Sequence, residues 1–388
     1  MRIFTWLLLT VISGALMAQT VANDSVPVPG QWSKERIQAW YDQQPWLVGC
    51  NYYPATAINQ IDMWQAETWD PDRIDLELGW AADMGMNTLR VFLHDLVWEN
   101  DRKGLLERMD QFLNICQRHG IRPWFVFFDD CHFPNPQLGE QPLPVVGYHN
   151  SGWVNCPARD VANRYAQEEA TRKERKRLKG YVQTTMRRFK DDDRVLMWEL
   201  YNEPGQAGIK DASQRLVYDS WVWARAVNPS QPITSCTAGS VGETNIQINA
   251  LNSDLHSVHA YGDADHLRKR VKPYIESGRP VMVTEWLARD RKSTVAEILP
   301  VLKELNMGAV NWGFVSGESG TVWNWGTRRA PAGGKRNVEE ERAAGNVVNP
   351  GEDFPEPEIW FHDLLRMDGT PYDAEEIALF RKLTGAER

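Results

Sequence analysis

Two glutamates stand where a carboxyl can do chemistry. Glu203 follows the apolar run 195–200 in "VLMWELYNEPG", and Glu285 ends the run in "RPVMVTEW". A short unbroken apolar run reads as a strand buried on both faces of a parallel sheet. Pro204 has no N–H to pair and stops the first run. Both carboxyls therefore fall just past the C-terminal ends of buried strands. Near Trp198 and Tyr201, Glu203 should be partly desolvated, which disfavours its charged form and raises its pKa. A general acid needs that property to hold a proton at neutral pH. Paired carboxylates at one opening suit cleavage of a glycosidic bond. At about 5–5.5 Å the second can attack the anomeric carbon with retention, whereas about 6.5–9.5 Å leaves room for water and gives inversion.

For the two carboxyls to meet, their strands must belong to one closed or strongly twisted sheet. Eight strand candidates occur, at 46–52, 88–93, 122–128, 195–200, 233–236, 255–259, 281–284 and 309–312. Helical patterns alternate with them, at 72–84, 105–119, 168–189, 213–227, 267–276, 294–305 and 373–383, after a short helix at 32–41. This alternation predicts an α/β fold. Eight units fit a single (β/α)8 TIM barrel better than an open doubly wound sheet, and no Gly-rich phosphate turn follows the first strand. A length of 388 residues is normal for a barrel with insertions. Two connections are too long to be plain turns: 129–160 after the third strand and 315–358 after the eighth, the latter with Trp323, Trp325, Arg328 and Arg329. Both lie on the face where barrel active sites form, and they read as walls of a cleft.

Composition bounds the remaining readings. Residues 1–22 carry Arg2, an apolar stretch and small residues near Ala18 and Ala22, the pattern of an export signal, and imply a periplasmic or extracellular protein. Residues 23–44 read as a linker and short helix, and 45–388 as the catalytic domain. No later segment is apolar for long enough to span a bilayer. A net charge of −9 argues against a nucleic-acid surface. The charge run 172–177 reads as a solvated helix face. With five cysteines at least one thiol lacks an intramolecular partner; Cys131 and Cys156 flank one loop and could close it.

The segments "Asn202-Glu203-Pro204" and "Thr284-Glu285-Trp286", in this strand order, resemble clan A glycoside hydrolases and most nearly glycoside hydrolase family 5. The resemblance runs over roughly residues 46–312 and implies a retaining β-glycosidase, with Glu203 as acid/base and Glu285 as nucleophile. It implies that Arg90 on the second strand steadies Glu285 and keeps it ionised. It implies further that Asn202 binds the sugar 2-hydroxyl, that Tyr261 of "His259-Ala260-Tyr261" donates to the nucleophile, and that Trp312 is the platform under the sugar. Asn51 and Tyr53 after the first strand, His94 after the second, Asp130 after the third and Trp323 in the last loop are further candidates for gripping hydroxyls. The expected partner is a β-linked glycan or oligosaccharide. The two-carboxylate mechanism needs no metal and no cofactor. A transglycosylase on the same site and a non-catalytic carbohydrate-binding barrel are the alternatives. The second would normally have lost one of the two glutamates.

Overall fold

All eight apolar runs form strands: β1 Val48–Asn51, β2 Thr88–Phe92, β3 Arg122–Asp129, β4 Trp198–Asn202, β5 Ile233–Thr234, β6 His256–His259, β7 Val281–Glu285 and β8 Gly308–Asn311. The structure is a computed structural model and describes residues 27–237, 242–330 and 334–386. The export signal read at 1–22 lies outside the described residues. Pairing is parallel throughout, in the order β5-β4-β3-β2-β1-β8-β7-β6. Among the described residues, a parallel bridge from Cys236, just past β5, to Ser257 of β6 completes the ring. This is the (β/α)8 barrel. Its seam is thin because β5 has only two residues in regular pairing.

Strand residues are buried almost without exception, which is why the runs lack polar alternation. Close approach of β1 and β2 requires Gly49, since a Cβ there would lie 1.8 Å from the Thr88 carbonyl oxygen. The main core fills the space between barrel and outer helices. A second cluster closes the N-terminal end, where Trp32, Ile37 and Tyr41 pack on Leu47, Trp124, Leu196, Leu255, Met282 and Val310. The helix Lys34–Asp42 is thus a plug for the barrel floor. Trp32 N donates to Asp254 Oδ1 at 2.8 Å, and Tyr41 Oη donates to the Asn306 carbonyl at 3.1 Å. With the floor sealed, the C-terminal mouth is the open end.

Four helices escaped the sequence reading: Gln60–Trp64, Arg159–Ala166, Glu243–Asn252 and Val338–Ala343. Among the described residues, no helix is long and apolar enough to cross a membrane. Cys131 and Cys156, which could have closed their loop as a disulfide, are both free thiols. Cys131 Sγ points at Glu203 and Cys156 Sγ at Asp95. Backbone pairing between Asp129 and Cys156 ties that loop instead, with N···O distances of 2.6 and 2.8 Å.

Candidate active site

Strand ends bring the predicted carboxyls together. Glu203 lies just beyond β4 and Glu285 is the last residue of β7. One oxygen of each, with a ring nitrogen of His259, falls within a 4.8 Å circle. His259 Nδ1 is 2.8 Å from Glu203 Oε1 and 3.3 Å from Glu285 Oε2. A register shift between Val258 and His259 aligns His259 with Glu285 across β6 and β7.

Glu203 is held in an unusual backbone state, with φ +38°. Positive φ costs a non-glycine residue free energy and must be imposed by surroundings. Asp130 supplies that restraint. Its carboxylate accepts from Gly205 N at 2.6 Å, from Tyr201 Oη at 2.8 Å and from Ser213 Oγ. Gln206 Nε2 and the Cys131 thiol then donate to Glu203 Oε2, at 2.5 and 3.4 Å.

Glu285 is fixed from the other side. Arg90, fully buried, donates through Nη1 to Glu285 Oε1 at 2.8 Å. Tyr261 Oη donates to Oε2 at 2.7 Å. Arg90 is itself gripped by Glu199, whose two oxygens accept from Nε and Nη2, each at 2.8 Å. Asn51 and Asn202 take its remaining reach, at 2.8 and 2.7 Å. A forked arginine between two carboxylates and two amides has little freedom to turn.

The proton balance reverses the expectation. Burial pushes Glu203 up, but the hydrogen bond and positive charge of His259 outweigh it and hold the carboxyl at about 2. Glu285 is raised above its usual 4.5 by burial and by the Glu203 charge, against the pull of His259, Arg90 and Tyr261. His259 would lose its proton to burial alone. Cys236, Glu285 and Glu203 around it instead raise its pKa well above 6.5. Of the three groups, His259 is the one whose surroundings favour holding a proton, and it lies between the two carboxylates.

The long loops build a cleft of roughly 1570 Å³ over this centre. Val145 pairs with Val347 in an antiparallel bridge. Val145, Tyr148 and Val338 pack together with Phe133 beside them. Arg336 ties the loops by donating to Gly147 O at 2.8 Å and Val146 O at 3.2 Å while pairing with Glu341 at 2.8 Å.

Asn202, Glu203, Tyr261, Glu285 and Trp312 line the cleft. Arg90, His259 and Asn51 stand behind them. Tyr53 is buried too; its ring packs on Trp312 and Trp153, with centroids 6.3 and 5.3 Å away, so it props the platform. His94 and Asp130 do not face the cleft, contrary to expectation. His94 caps the helix Asp95–Arg118 by accepting from Leu96 N at 3.2 Å, and its Nε2 donates to Asn155 O at 3.0 Å. Asp130 anchors the turn after Glu203. Trp323 also stays out of the lining; its carbonyl accepts from His149 Nδ1 at 2.5 Å. Two positions on, Trp325 does line the cleft, edge-on to Tyr261 at 5.1 Å. Sequence reasoning placed Trp325 in the cleft wall but missed Glu199, Gln206 and His362 as site residues. Only Glu199 carried a signal, a charge inside an otherwise apolar strand.

Two groups have metal-ligand spacing among the described residues, His94–Asp95–Cys156 and Glu203–His259–Glu285. In the first, both His94 nitrogens are hydrogen-bonded and Asp95 pairs with Arg177 at 3.0 Å. In the second, His259 Nδ1 is hydrogen-bonded to Glu203, and Glu285 accepts from Arg90 and Tyr261.

Comparison with known proteins agrees with this geometry. A model of the cellulase family, glycosyl hydrolase family 5, matches residues 78–317. No curated protein sequence matches. Among solved structures, an exo-β-1,4-mannosidase from Opitutaceae bacterium strain TAV5 is similar with TM-score 0.58 and 18% identity, over 88% of this chain and 59% of that one. The chain thus spans less than two thirds of that relative. An endo-β-1,4-mannanase from Thermotoga petrophila is similar with TM-score 0.53 and 13% identity, over 89% and 77% of the two chains. A GH5_18 protein from Streptomyces cattleya, solved with Manβ1-4GlcNAc, has TM-score 0.54 and 13% identity, over 88% and 80%. At such identities the likeness speaks for the fold, and the family match covers well over half the chain. With the barrel, the strand-end glutamates and that match in hand, the chain belongs to glycosyl hydrolase family 5, a glycosidase family.

Proposed function

We propose that the protein cleaves a β-linked glycan with retention, Glu285 attacking the anomeric carbon and Glu203 serving as acid and then base. The observation that carries this reading is the spacing: facing carboxylate oxygens within 4.8 Å match the close-set pair of a retaining site and not the wider pair of an inverting one. Glu285 Oε2 would displace the leaving oxygen and form a glycosyl ester. Glu203 would deliver a proton to that oxygen, and then draw one from the water that hydrolyses the ester. Arg90 and Tyr261 orient the nucleophile. Trp312 offers a flat apolar face to the sugar ring, and Asn202 lies within reach of a ring hydroxyl.

The low pKa of Glu203 is compatible with an acid role once His259 is counted. A proton shift along the 2.8 Å bond from His259 Nδ1 to Oε1 yields neutral imidazole and a protonated Glu203. Formation of the ester removes the charge of Glu285, and with it one of the groups that hold the proton on His259. The neighbours named as mannosidase and mannanase make β-1,4-mannosyl linkages the first substrates to try. We also propose that residues 45–388 work as one catalytic unit after export under the 1–22 signal; N-terminal sequencing of secreted protein that begins at Met1 would refute the latter.

The test is chemical rescue. Glu285→Ala should lower turnover by at least about 10³-fold, and azide should restore it with an inverted glycosyl azide as product. Glu203→Ala should slow poor leaving groups far more than dinitrophenyl glycosides. Appreciable activity in Glu285→Ala without azide would sink the assignment.

A further inference from the structure

Two of the arginines in the cleft wall are matched by carboxylates. Arg336 pairs with Glu341 and Arg342 with Glu339, each at 2.8 Å. Arg328 is different. Its Nε donates to the His149 carbonyl at 3.3 Å and its Nη2 to His132 Nε2 at 3.4 Å. Among the described residues no carboxylate pairs with it. Burial lowers its pKa, and no acidic side chain but only Tyr148 and Cys131 pull the other way. Its neighbours His132, His149 and His362 are kept neutral by burial, with the Arg328 charge adding to the effect. Arg328 is half-buried in the cleft wall, and a partly desolvated cation without a counter-ion is a ready partner for an anion that enters the cleft.

A second unfilled group stands in the same wall. His362 Nδ1 donates to the Leu287 carbonyl, which leaves Nε2 as an acceptor. That nitrogen is buried and has no hydrogen-bond partner among the described residues. The His362 ring is 5.9 Å from that of Tyr261, the donor to Glu285. Arg328 and His362 line the same cleft as the two strand-end glutamates. Arg329 and Lys335, on the same loop, line it too and make no ion pair among the described residues. The chain as a whole carries a net charge of −9, so this concentration of cations is not part of a generally basic surface.

We infer that the cleft takes a glycan bearing an anionic substituent, a carboxylate or a sulfate, beside the scissile sugar, with Arg328 as its counter-ion and His362 Nε2 accepting from a hydroxyl. The inference rests on the reading of the cleft as a glycosidase site and narrows its substrate class. A guanidinium offers forked donors that match the oxygens of either group. A neutral sugar would leave Arg328 without a counter-ion.

The experiment compares matched oligosaccharides. β-1,4-Linked manno- and gluco-oligosaccharides, their C6-carboxylate forms and their C6-sulfated forms are assayed for turnover by the wild type. The same set is assayed for retention on immobilised Glu285→Gln protein. The expected result is a charged form preferred over its neutral twin by at least about tenfold in kcat/KM or retention. Whichever charged form ranks higher identifies the substituent. Arg328→Gln, with its fold checked by circular dichroism, should bring the ratio of charged to neutral close to one. Lys335→Glu, on an exposed side chain, should lower the ratio without a folding risk, and 0.5 M NaCl should lower it as well. Neutral forms turned over or retained as well as the charged ones would overturn the inference and leave the glycosidase reading intact. A preference that survives Arg328→Gln would overturn it equally. Retention of charged forms with no turnover of any form would sink the hydrolase reading alone, and neither retention nor turnover would sink both.

Discussion

At the scale of single residues, the site is governed by where one proton rests. His259 lies between Glu203 and Glu285, and its charge depresses the first carboxyl while partly offsetting the burial of the second. The pH behaviour follows with a definite sign. Glu285 is raised above 4.5, so its charge is lost as pH falls through that raised value, which sets the acid limb. The alkaline limb belongs to the shared proton of His259 and Glu203, and His259 is raised well above 6.5. His259→Gln removes the imidazole and leaves Glu203 to hold the proton alone. The alkaline limb of kcat/KM should then move to lower pH, and turnover of substrates with poor leaving groups should fall about 10²-fold. A pH–rate profile of the variant decides it; an unmoved alkaline limb would mean that His259 holds no catalytic proton.

Elements come next, because side chains meet only as their strands and loops allow. Strand ends set the height of Arg90, Asn202, His259 and Glu285, and the loops after β3 and β8 decide what else reaches them. Those loops hold each other through a backbone bridge, a small apolar cluster and hydrogen bonds from Arg336, Arg342, Arg328 and His149. Arg336→Ala removes hydrogen bonds to the carbonyls of Gly147, Val146 and Thr327 and the ion pair with Glu341. It should cost about 1–3 kcal/mol, seen as a lower denaturation midpoint. Chymotrypsin should cut faster at Phe133 and Tyr148, and KM should rise more than kcat falls. Unchanged cleavage would show that the loops are held by something other than this clasp.

For the molecule as a whole, stability and chemistry occupy opposite ends of the barrel. The floor is sealed by the helix Lys34–Asp42, with Ile37 fully buried against the barrel cluster. Ile37→Ala should destabilise by about 2–5 kcal/mol through lost contacts and a cavity, measured by urea unfolding. Activity below the melting range should stay near that of the wild type, because the mutated face is remote from the mouth. A large loss of kcat without loss of stability would contradict this separation.

Much of this protein was legible from residues alone. Parallel strands are buried on both faces, so eight apolar runs could be read directly, and their ends marked Glu203 and Glu285 as neighbours; the family resemblance added Arg90, His259 and Tyr261. The helix Glu243–Asn252 was not legible. Its buried positions are Asn245, Ile248, Asn249 and Asn252, which fill hydrogen-bonding rather than apolar space. Beyond a strand end the alternation of side chains no longer says which way a residue points. His94 and Asp130 therefore turned inward as a helix cap and a turn anchor, and Trp325 rather than Trp323 faces the cleft. Cys131 and Cys156 flank one loop in sequence, but their thiols turn to different carboxylates. The balance of charge at the centre was also left to the tertiary structure. Periodicity is local, and an unbroken apolar run marks a buried strand before its neighbours are known. A pKa, a counter-ion or an unfilled acceptor depends on which distant side chains converge on it, and only the closed barrel with its clasped loops decides that.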